Sequence, residues 1–335
     1  MAMPSKIQKE YVKLAFNHWR QQGFPYYNLD DSEIIRQFNL LQNTSPHRIL
    51  INNSEIQWSN VGLSLANCFQ PAIWSVKSDR YISPIECFNN DDLLKACIEK
   101  ALKIWPSRYG CNASNLRRML SSYTNVKRVS NFRPTVAKAI YETFSPNNGH
   151  VLDLCSGFGG RLLGSLTLCN NYTGYEPNIT HFKGLQRMHD KISHLGLASR
   201  EIILKNACAE DAISTEKSGK FDLVFTSPPY YSRERYSDDI SQSYIRYDSY
   251  SSWCKNFLEK LLEESHRVLA KHGLLILNVA NTEDAPIYDD VLRLAAKFYK
   301  VKKIYQMRLG RLPYRRGNSI NAYHYEPIVV FTKRR

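Results

Sequence analysis

A glycine-rich segment, Asp153-Leu-Cys-Ser-Gly157-Phe-Gly159-Gly160, follows a short apolar run and precedes a helix-like pattern. Glycines at the end of a strand let a ligand approach the backbone closely. A carboxylate such as Asp153 repels phosphate, but it can meet the ammonium group of a cofactor with an amino acid end. The glycine pattern alone is weak evidence, because a plain tight turn also uses these residues.

A second acidic residue, Glu176, stands at the end of the next predicted strand, about 20 positions beyond the start of the loop. A carboxylate at this spacing can accept hydrogen bonds from ribose hydroxyls. It could instead be an exposed strand-end group in a salt bridge, but its spacing from the glycine loop favours a nucleoside-containing ligand.

A third motif, Thr226-Ser227-Pro228-Pro229-Tyr230-Tyr231, comes directly after another predicted strand. The prolines end the strand and leave backbone carbonyls that no ladder occupies. Ser227 adds a hydroxyl acceptor, and the tyrosines add flat faces. Such a site suits an exocyclic NH2 group on a planar ring. The alternative, a proline turn with surface tyrosines, is less well supported once all three motifs are considered together.

Taken together, the three motifs resemble those of the S-adenosylmethionine-dependent amino methyltransferases of DNA, which make N4-methylcytosine or N6-methyladenine. The family fingerprint is (D/N/S)-P-P-(Y/F/W), and Ser227-Pro228-Pro229-Tyr230 matches it fully. The serine form, preceded by Thr226, resembles the N4-cytosine branch, with N6-adenine as the second candidate. The resemblance spans residues 129–333 and is looser at Leu154-Cys155, where the family often has Pro-Phe. The order of the motifs resembles the gamma-type permutation.

This resemblance implies a cofactor, S-adenosylmethionine, and a role for each matching residue. The glycine loop would cradle the methionine end, Glu176 would hold the ribose, and Glu210 or Asp211 would lie near the adenine. Segment 131–134 resembles the motif that wraps the cofactor carboxylate, and segment 323–328 resembles the closing motif. The expected cofactor-binding residues are Phe132, Arg133, Asp153, Cys155, Gly157, Phe158, Gly159, Gly160, Glu176 and Glu210.

The expected catalytic residues are Ser227, Pro228, Pro229 and Tyr230. The lone pair of an exocyclic amine is delocalised into its ring, so acceptors that draw the nitrogen towards tetrahedral geometry would free it for in-line attack on the sulfonium methyl. A base within duplex DNA must be flipped out or presented single-stranded. The expected substrate-binding residues are Tyr231, Arg233, Arg235, Arg311, Arg315 and Arg316.

The elements that would hold these motifs alternate between strand and helix from residue 131 onward. We predict strands at 150–154, 172–175, 201–205, 221–225, 273–279, 301–309 and 325–332, with helices at 136–144, 161–168, 181–195, 253–270 and 287–298. Gly273 is the predicted C-cap of the long helix. The alternation predicts an α/β fold, a Rossmann-like class I methyltransferase sheet of seven strands with the last one antiparallel.

An N-terminal accessory or target-recognition domain is predicted over residues 1–125, and the methyltransferase domain over 126–335. Helices are predicted at 7–21, 31–41 and 91–104, the last one capped by Asn90 or Asp91. Only a short tail follows the last motif, so we expect target recognition to lie in the N-terminal part. The segment 231–250 is long for a connection and could form a substrate lid.

The charge balance agrees with a polyanionic partner. The chain of 335 residues has 45 Lys and Arg against 31 Asp and Glu, a net charge of +14 and a pI near 9.3. Such an excess favours nucleic acid, because cations that meet phosphates release counterions. A solvated basic surface is the alternative. The C-terminal region from Lys300 is especially basic, and Tyr314 interleaves its arginines.

Other classes of protein are disfavoured. Eight cysteines without a C-x-x-C pair indicate reduced, mostly buried thiols and no zinc site. No long apolar run or signal-like segment is present, so we expect a cytoplasmic protein without a membrane partner. Two alternatives remain: an amino methyltransferase that acts on RNA, protein or a small molecule, and a non-catalytic DNA-binding module of the same fold.

Overall fold

The computed structural model describes residues 5–52, 54–78, 81–107, 110–198, 200–232, 234–236, 239–311 and 323–334. The chain forms two compact units. The small unit comprises Met1–Asn28, Pro71–Ser130 and Arg233–Tyr236, and the large unit comprises Leu29–Gln70, Asn131–Ser232 and Ser237–Arg335. No helix of the described part is long and apolar enough to span a bilayer.

The strands are, in chain order, β1 (Glu55–Ile56), β2 (Lys77–Ser78), β3 (His150–Asp153), β4 (Asn171–Tyr175), β5 (Ile202–Lys205), β6 (Phe221–Thr226), β7 (Glu234–Arg235), β8 (Leu269–Asn278), β9 (Tyr299–Arg311) and β10 (Tyr323–Lys333). The helices are α1 (Ser5–Gln22), α2 (Asp31–Gln42), α3 (Leu63–Cys68), α4 (Pro84–Asn89), α5 (Asp91–Ile104), α6 (Ala113–Ser122), α7 (Pro134–Phe144), α8 (Gly160–Leu166), α9 (Ile179–His194), α10 (Ala209–Ala212), α11 (Ser243–Arg246), α12 (Tyr250–Trp253), α13 (Lys260–Val268) and α14 (Ile287–Ala295). Short 3-10 helices lie at Pro46–Arg48, Pro71–Trp74 and Ile213–Thr215, and a π-helical segment at Cys254–Glu259 joins α12 to α13.

The large unit is built on one sheet with the strand order β1-β9-β10-β8-β6-β3-β4-β5. Strands β3 to β6 and β8 pair in parallel, and β10 runs antiparallel to both of its neighbours. The predicted α/β, Rossmann-like sheet with an antiparallel last strand is therefore confirmed. The predicted number of strands was one too low, because β1 adds to the edge at β9 in parallel register, with Glu55 opposite Gln306.

Apolar layers cover both faces of this sheet, as expected for strands that are buried on two sides. Residues of α2, α7, α8 and α9 form the layer on one face, with Phe38, Val136 and Leu163 fully or nearly fully buried. Residues of α13 and α14, together with Trp253, form the layer on the other face. The two layers hold the strands in fixed register, and with them the loops at the strand ends.

The boundary between the units differs from the predicted division at residue 125. Residues 29–70 lie with the large unit, because β1 extends its sheet and Phe38 and Leu41 of α2 are buried in one of its apolar layers. The functions predicted for the two domains are separate matters and remain predictions.

Gly273 does not cap a helix, contrary to the prediction. Helix α13 ends at Val268, and its C-cap Leu269 is already extended and begins β8. Gly273 lies inside β8, where a Cβ atom would be 3.1 Å from the backbone oxygen of Phe221 on the neighbouring strand. The glycine therefore permits close strand packing at an irregularity in the β6–β8 register.

The small unit has its own apolar core, built from α1, α4, α5 and α6. The predicted cap is confirmed, since the Asn90 side chain accepts hydrogen bonds from the backbone N–H groups of Asp92 and Leu93. A two-stranded antiparallel ladder of β2 and β7 belongs to this unit. The chain thus leaves the large unit after Ser232, contributes β7 here and then returns.

Candidate active site

The three motifs follow three adjacent strands at the point where the strand order reverses. β3 pairs with β4 on one side, where Asp153 lies opposite Gly174, and with β6 on the other, where Val151 lies opposite Leu223. In open α/β sheets, ligands bind at this switch point beyond the carboxyl ends of the strands. The glycine loop, Glu176 and Ser227 therefore share one edge of the sheet.

The glycine loop needs its glycines for conformation and for close contact. Gly157 and Gly159 have φ values of +54° and +78°, in the left-handed region. A Cβ atom on Gly160 would lie 2.0 Å from the Phe132 carbonyl oxygen. At Gly157 the nearest neighbour of such an atom is the Cys155 carbonyl oxygen, 3.8 Å away, so the backbone there is open to a ligand.

Asn131 ties the segment before α7 to this loop. The buried amide accepts a hydrogen bond from the Gly160 N–H at 3.0 Å and donates one to the Phe158 carbonyl at 3.0 Å. It donates a further bond to the Asn67 side chain at 3.1 Å. Asn131 thereby fixes both the start of α8 and the loop in front of it.

Glu176 is brought directly to the loop. It is 6% exposed, and one carboxylate oxygen accepts from the Gly157 N–H at 2.8 Å. The other accepts from the Asn178 N–H at 2.9 Å, and His181 Nδ1 is 3.7 Å away. A carboxylate has about four acceptor positions, so Glu176 retains capacity to accept from ligand hydroxyls.

Asp153 is fully buried at the centre of a hydrogen-bond network. One oxygen accepts from Arg161 Nε and from the Tyr172 hydroxyl, both at 2.8 Å. The other accepts from the Thr226 hydroxyl at 2.9 Å and from the Cys155 N–H at 3.2 Å. These donors engage the carboxylate within the protein, so it organises the site instead of standing open for a ligand ammonium.

Cys155 lies within the electrostatic reach of all three carboxylates that the sequence singled out. Burial raises the pKa of its thiol well above the ordinary value, and the charges of Asp153, Glu210 and Glu176 raise it further. The thiol stays neutral in this acidic environment. An anionic phosphate would be repelled here, whereas a cationic ligand with hydroxyl groups is compatible with these side chains.

Glu210 is buried and faces the segment predicted as a lid. Its carboxylate accepts from Arg246 Nη1 and from the Tyr247 hydroxyl, both at 3.1 Å. Burial raises the pKa of Glu210, although both partners act against that shift. Asp211, the alternative candidate, has a half-exposed side chain and pairs with Arg246 at 2.6 Å.

The Ser-Pro-Pro-Tyr motif begins one residue after Thr226, whose hydroxyl binds Asp153. Ser227 is half-buried and Pro228 is buried. Within the described part of the chain, neither the Ser227 hydroxyl nor the Pro228 carbonyl has a hydrogen-bond partner. Two acceptors thus remain available beside the glycine loop.

The two tyrosines of the motif are held differently. The Tyr230 hydroxyl donates to the carboxylate of Glu326 on β10. Tyr231 has a φ of +52°, a conformation that non-glycine residues adopt rarely and that clusters at functional sites. Its ring packs against Tyr250 and Trp253, with centroid distances of 5.5 and 5.9 Å. The chain therefore turns sharply directly after Tyr230.

Phe132 and Arg133 stand before α7. Phe132 contacts Phe225 edge-on at 5.5 Å, and the Arg161 guanidinium lies 5.4 Å from its ring centroid. Arg133 lies 4.3 Å from the ring centroid of Trp58 and donates to the Asn60 side chain. Phe132 thus packs beside the loop, whereas these two contacts of Arg133 are with segment 29–70.

Several predicted substrate residues fall outside the described side chains. Arg233, Arg315 and Arg316 lie outside the described residues. Arg235 belongs to β7 of the small unit and Arg311 is the last residue of β9, and for both only the backbone is described. Their roles remain predictions.

Four positioning residues were given no role of their own in the predicted site: Asn131, Arg161, Thr226 and Glu326. Asn131, Thr226 and Glu326 lie inside predicted motif segments, so membership of those segments was the available signal. Arg161 acts through its side-chain pairing with Asp153, which no local pattern marks.

The antiparallel last strand and the glycine loop at the switch point agree with the Rossmann-like sheet that the sequence predicts. A family model described as DNA methylase matches residues 221–335. The match confirms, over this part of the chain, the resemblance to the amino methyltransferases, and with it S-adenosylmethionine as the cofactor. The protein is an S-adenosylmethionine-dependent methyltransferase. No curated protein matches the sequence.

Solved structures similar to the chain include several methyltransferases. The tRNA (m1A58) methyltransferase TrmI from Aquifex aeolicus is 13% identical, with 62% of this chain and 71% of that chain covered and a TM-score of 0.41. TrmN from Thermus thermophilus is 12% identical, with 60% and 48% covered and a TM-score of 0.40. A methyltransferase from Pyrococcus furiosus is 16% identical, with 64% and 93% covered and a TM-score of 0.40. Sequence identities and TM-scores this low give no information about the substrate of this protein.

Proposed function

We propose that the protein transfers a methyl group from S-adenosylmethionine to an exocyclic amine of a DNA base, the N4 amine of cytosine. One observation carries the proposal. Among the described residues, the Ser227 hydroxyl and the Pro228 carbonyl have no hydrogen-bond partner at the end of β6, next to Thr226, whose hydroxyl is 2.9 Å from the loop carboxylate Asp153. The serine form of the motif favours cytosine.

The two acceptors supply the chemistry that an aromatic amine needs. Its lone pair is delocalised into the ring, so the nitrogen is a poor nucleophile. The Ser227 hydroxyl and the Pro228 carbonyl would each accept a hydrogen bond from one amine N–H, turn the nitrogen towards tetrahedral geometry and stabilise positive charge that develops on it. Positioning and fixed acceptors of this kind account for large rate effects without a strong base.

The cofactor would be held by the glycine loop and the carboxylates around it. When bound, S-adenosylmethionine supplies an electrophilic methyl group on a sulfonium centre. Glu176 would accept from the ribose hydroxyls, and Glu210 would lie near the adenine. The open backbone at Gly157 allows close approach, and Asn131 keeps the loop in place.

The target base would stack on the ring of Tyr230, which the hydroxyl contact with Glu326 keeps in orientation. Chemistry on the amine requires a base outside the duplex stack, whether flipped or single-stranded. We further propose that Tyr231, Arg233, Arg235, Arg311, Arg315 and Arg316 contact the substrate, the arginines through phosphates.

Mass spectrometry of nucleosides tests the proposal. DNA and RNA, both unmodified, are incubated separately with the protein and S-adenosylmethionine and then digested. N4-methylcytosine in DNA is expected for the wild type, with a rate lower by about 10²–10³ for Ser227→Ala, as for the loss of one transition-state hydrogen bond. Ser232→Ala, an exposed serine in the same segment, is the matched control and should retain full activity.

Cofactor binding, measured by calorimetry, should be the same in Ser227→Ala as in the wild type. Formation of N6-methyladenine would show that adenine is the base methylated at this site and would overturn the choice of cytosine. Methylation of RNA alone would overturn the choice of DNA. Equal rates for Ser227→Ala and Ser232→Ala would refute the site itself.

A further inference from the structure

The positive charge of the chain is concentrated in the small unit. Its sequence has 16 Lys and Arg against 7 Asp and Glu, a net charge of +9 out of the total of +14. The large unit, with far more residues, carries only the remaining +5. An asymmetry of this kind between parts of a chain indicates a polyanionic partner for the basic part.

Within the small unit, two arginines and two aromatic rings form what we call the Arg–aromatic cluster: Tyr27, Trp74, Arg117 and Arg128. The Arg117 guanidinium lies 4.1 Å from the ring centroid of Tyr27, and that of Arg128 lies 4.7 Å from the ring centroid of Trp74. The two rings are 6.0 Å apart. The cluster therefore places two guanidinium groups on a pair of neighbouring aromatic rings.

No carboxylate of the described residues pairs with either arginine of the cluster. Arg117 donates to the backbone carbonyls of Pro25 and Tyr26 at 2.8 and 3.4 Å. Arg128 makes a long contact of 3.4 Å with the carbonyl of Val129 and a hydrogen bond with the Tyr27 side chain. Other cations of the same unit do have acidic partners: Arg20 pairs with Asp91 at 2.5 Å and Lys77 with Glu86 at 2.7 Å.

The electrostatics of the cluster favour an anion. Burial lowers the pKa of Arg128, and the charge of Arg117 lowers it further, against the opposing effect of Tyr27. Like charges that are partly removed from water without a counterion are unfavourable, and a bound anion would relieve this. Their contacts with protein oxygens use only some of the five N–H donors of each guanidinium, and a planar or bidentate acceptor such as phosphate suits the others.

We propose that the Arg–aromatic cluster binds the phosphodiester backbone of a nucleic acid, which makes the small unit a nucleic-acid-binding module of this methyltransferase. The proposal builds on the function proposed above, because it assigns the substrate polymer a second site, on the small unit. Backbone phosphates fix the position of a protein on nucleic acid without reading its sequence. The cluster is therefore expected to add affinity and to leave base choice unchanged.

Fluorescence anisotropy with the full-length protein and a labelled 20-base-pair duplex tests this, with an RNA hairpin of similar size as a second probe. Arg117→Gln removes one cation of the cluster. Arg118→Gln removes a cation from the next position of α6, one that lies 5.6 Å from the Trp105 ring outside the cluster. Titrations over a series of KCl concentrations give the salt dependence, and thermal melting confirms that each variant folds.

For Arg117→Gln we expect affinity to fall about tenfold, as for one lost charge-assisted contact. The slope of log K against log salt should fall by about 1. Arg128→Gln should behave similarly, and Arg117→Lys should keep the slope but bind more weakly than the wild type, since it loses the planar fork. Arg118→Gln should stay within about twofold of the wild type, as expected for a cation outside the contact.

Equal losses of affinity in Arg117→Gln and Arg118→Gln would show that binding depends only on net charge, and would overturn the role proposed for the cluster. Unchanged affinity in both variants would also overturn the proposal that the small unit is a nucleic-acid-binding module. Loss on either duplex or hairpin supports the proposal and identifies the preferred polymer. If neither polymer gains a methyl group while Arg117→Gln still weakens binding, this inference holds and the proposed reaction fails. If methylation occurs and Arg117→Gln binds as tightly as the wild type, the proposed reaction holds and this inference fails.

Discussion

The substitution Asp153→Asn removes the charge from a carboxylate that four donors share. In the wild type one oxygen accepts from Arg161 and Tyr172, and the other accepts from Thr226 and the Cys155 N–H. An asparagine has one acceptor oxygen and one NH2 group. In one orientation the NH2 faces the Arg161 guanidinium, and in the other it faces the backbone N–H. In either orientation the NH2 group faces another hydrogen-bond donor that cannot act as an acceptor, so at least one hydrogen bond is lost.

The expected cost follows from the burial of the pair. Asp153 is 0% exposed and Arg161 is 5% exposed, so the substitution leaves a guanidinium charge in the interior without its counterion. Breaking a buried pair in this way costs about 3–5 kcal/mol. For a unit of this size, about 2–4 °C of Tm is lost per kcal/mol. The Tm should therefore fall by about 6–20 °C.

Thermal unfolding of the wild type and Asp153→Asn measures this shift. Asp190→Asn is the matched control, because it makes the same chemical change at a side chain that is 76% exposed, and it should cost less than about 0.5 kcal/mol. The double variant Asp153→Asn, Arg161→Met removes both charges and should recover at least about 2 kcal/mol relative to additivity. A shift for Asp153→Asn no larger than the control, or strict additivity in the double variant, would refute the reasoning.

Three further predictions concern the loop, the adenine side and the stacking ring. Asn131→Ala leaves the buried Gly160 N–H without its acceptor, so unfolding free energy should fall by about 1–3 kcal/mol and calorimetry should show weaker S-adenosylmethionine binding. Asn131→Asp keeps that acceptor but turns a second carboxylate oxygen towards the Phe158 carbonyl and the Asn67 side-chain oxygen, so it should not restore the stability. The pKa of Glu210 is raised, so this side chain stabilises the fold below its unfolded pKa of about 4 and loses that contribution as the pH rises through the folded pKa. The Tm of Glu210→Gln relative to the wild type should therefore rise between pH 4 and pH 8. A Tm difference that does not change with pH would contradict the burial argument. Tyr230→Phe keeps the ring but removes the donor to Glu326, so kcat/KM should fall about two- to tenfold with little change in Tm, and a loss as large as that of Tyr230→Ala would show that the hydroxyl, not the ring, matters.

Much of the candidate site could be predicted because each motif is a contiguous run at the end of a strand. The alternation of strands and helices places the carboxyl ends of parallel strands on one edge of the sheet. The glycine loop, Glu176 and Ser227 were thus expected near each other before any distance was known. The contact between Glu176 and the Gly157 N–H agrees with that expectation.

The partners of Asp153 could not be predicted in the same way. Arg161, Tyr172 and Thr226 lie 8, 19 and 73 residues away in the chain, on a helix and two different strands. Strand register and helix placement bring them to one carboxylate. The sequence suggested a ligand for Asp153, and the tertiary structure supplied protein donors instead.

The sequence by itself determined the type of sheet, the positions of its main strands along the chain and the short motifs, because hydrophobic periodicity, glycine and proline act on their immediate neighbours. Only the tertiary structure decided that residues 29–70 join the large unit and that β1 extends its sheet beside β9. It also decided that two arginines of the small unit pack on two neighbouring aromatic rings, with no carboxylate partner among the described residues. The physical reason is that pairings between distant segments depend on packing and on the removal of charge from water, which no local pattern records.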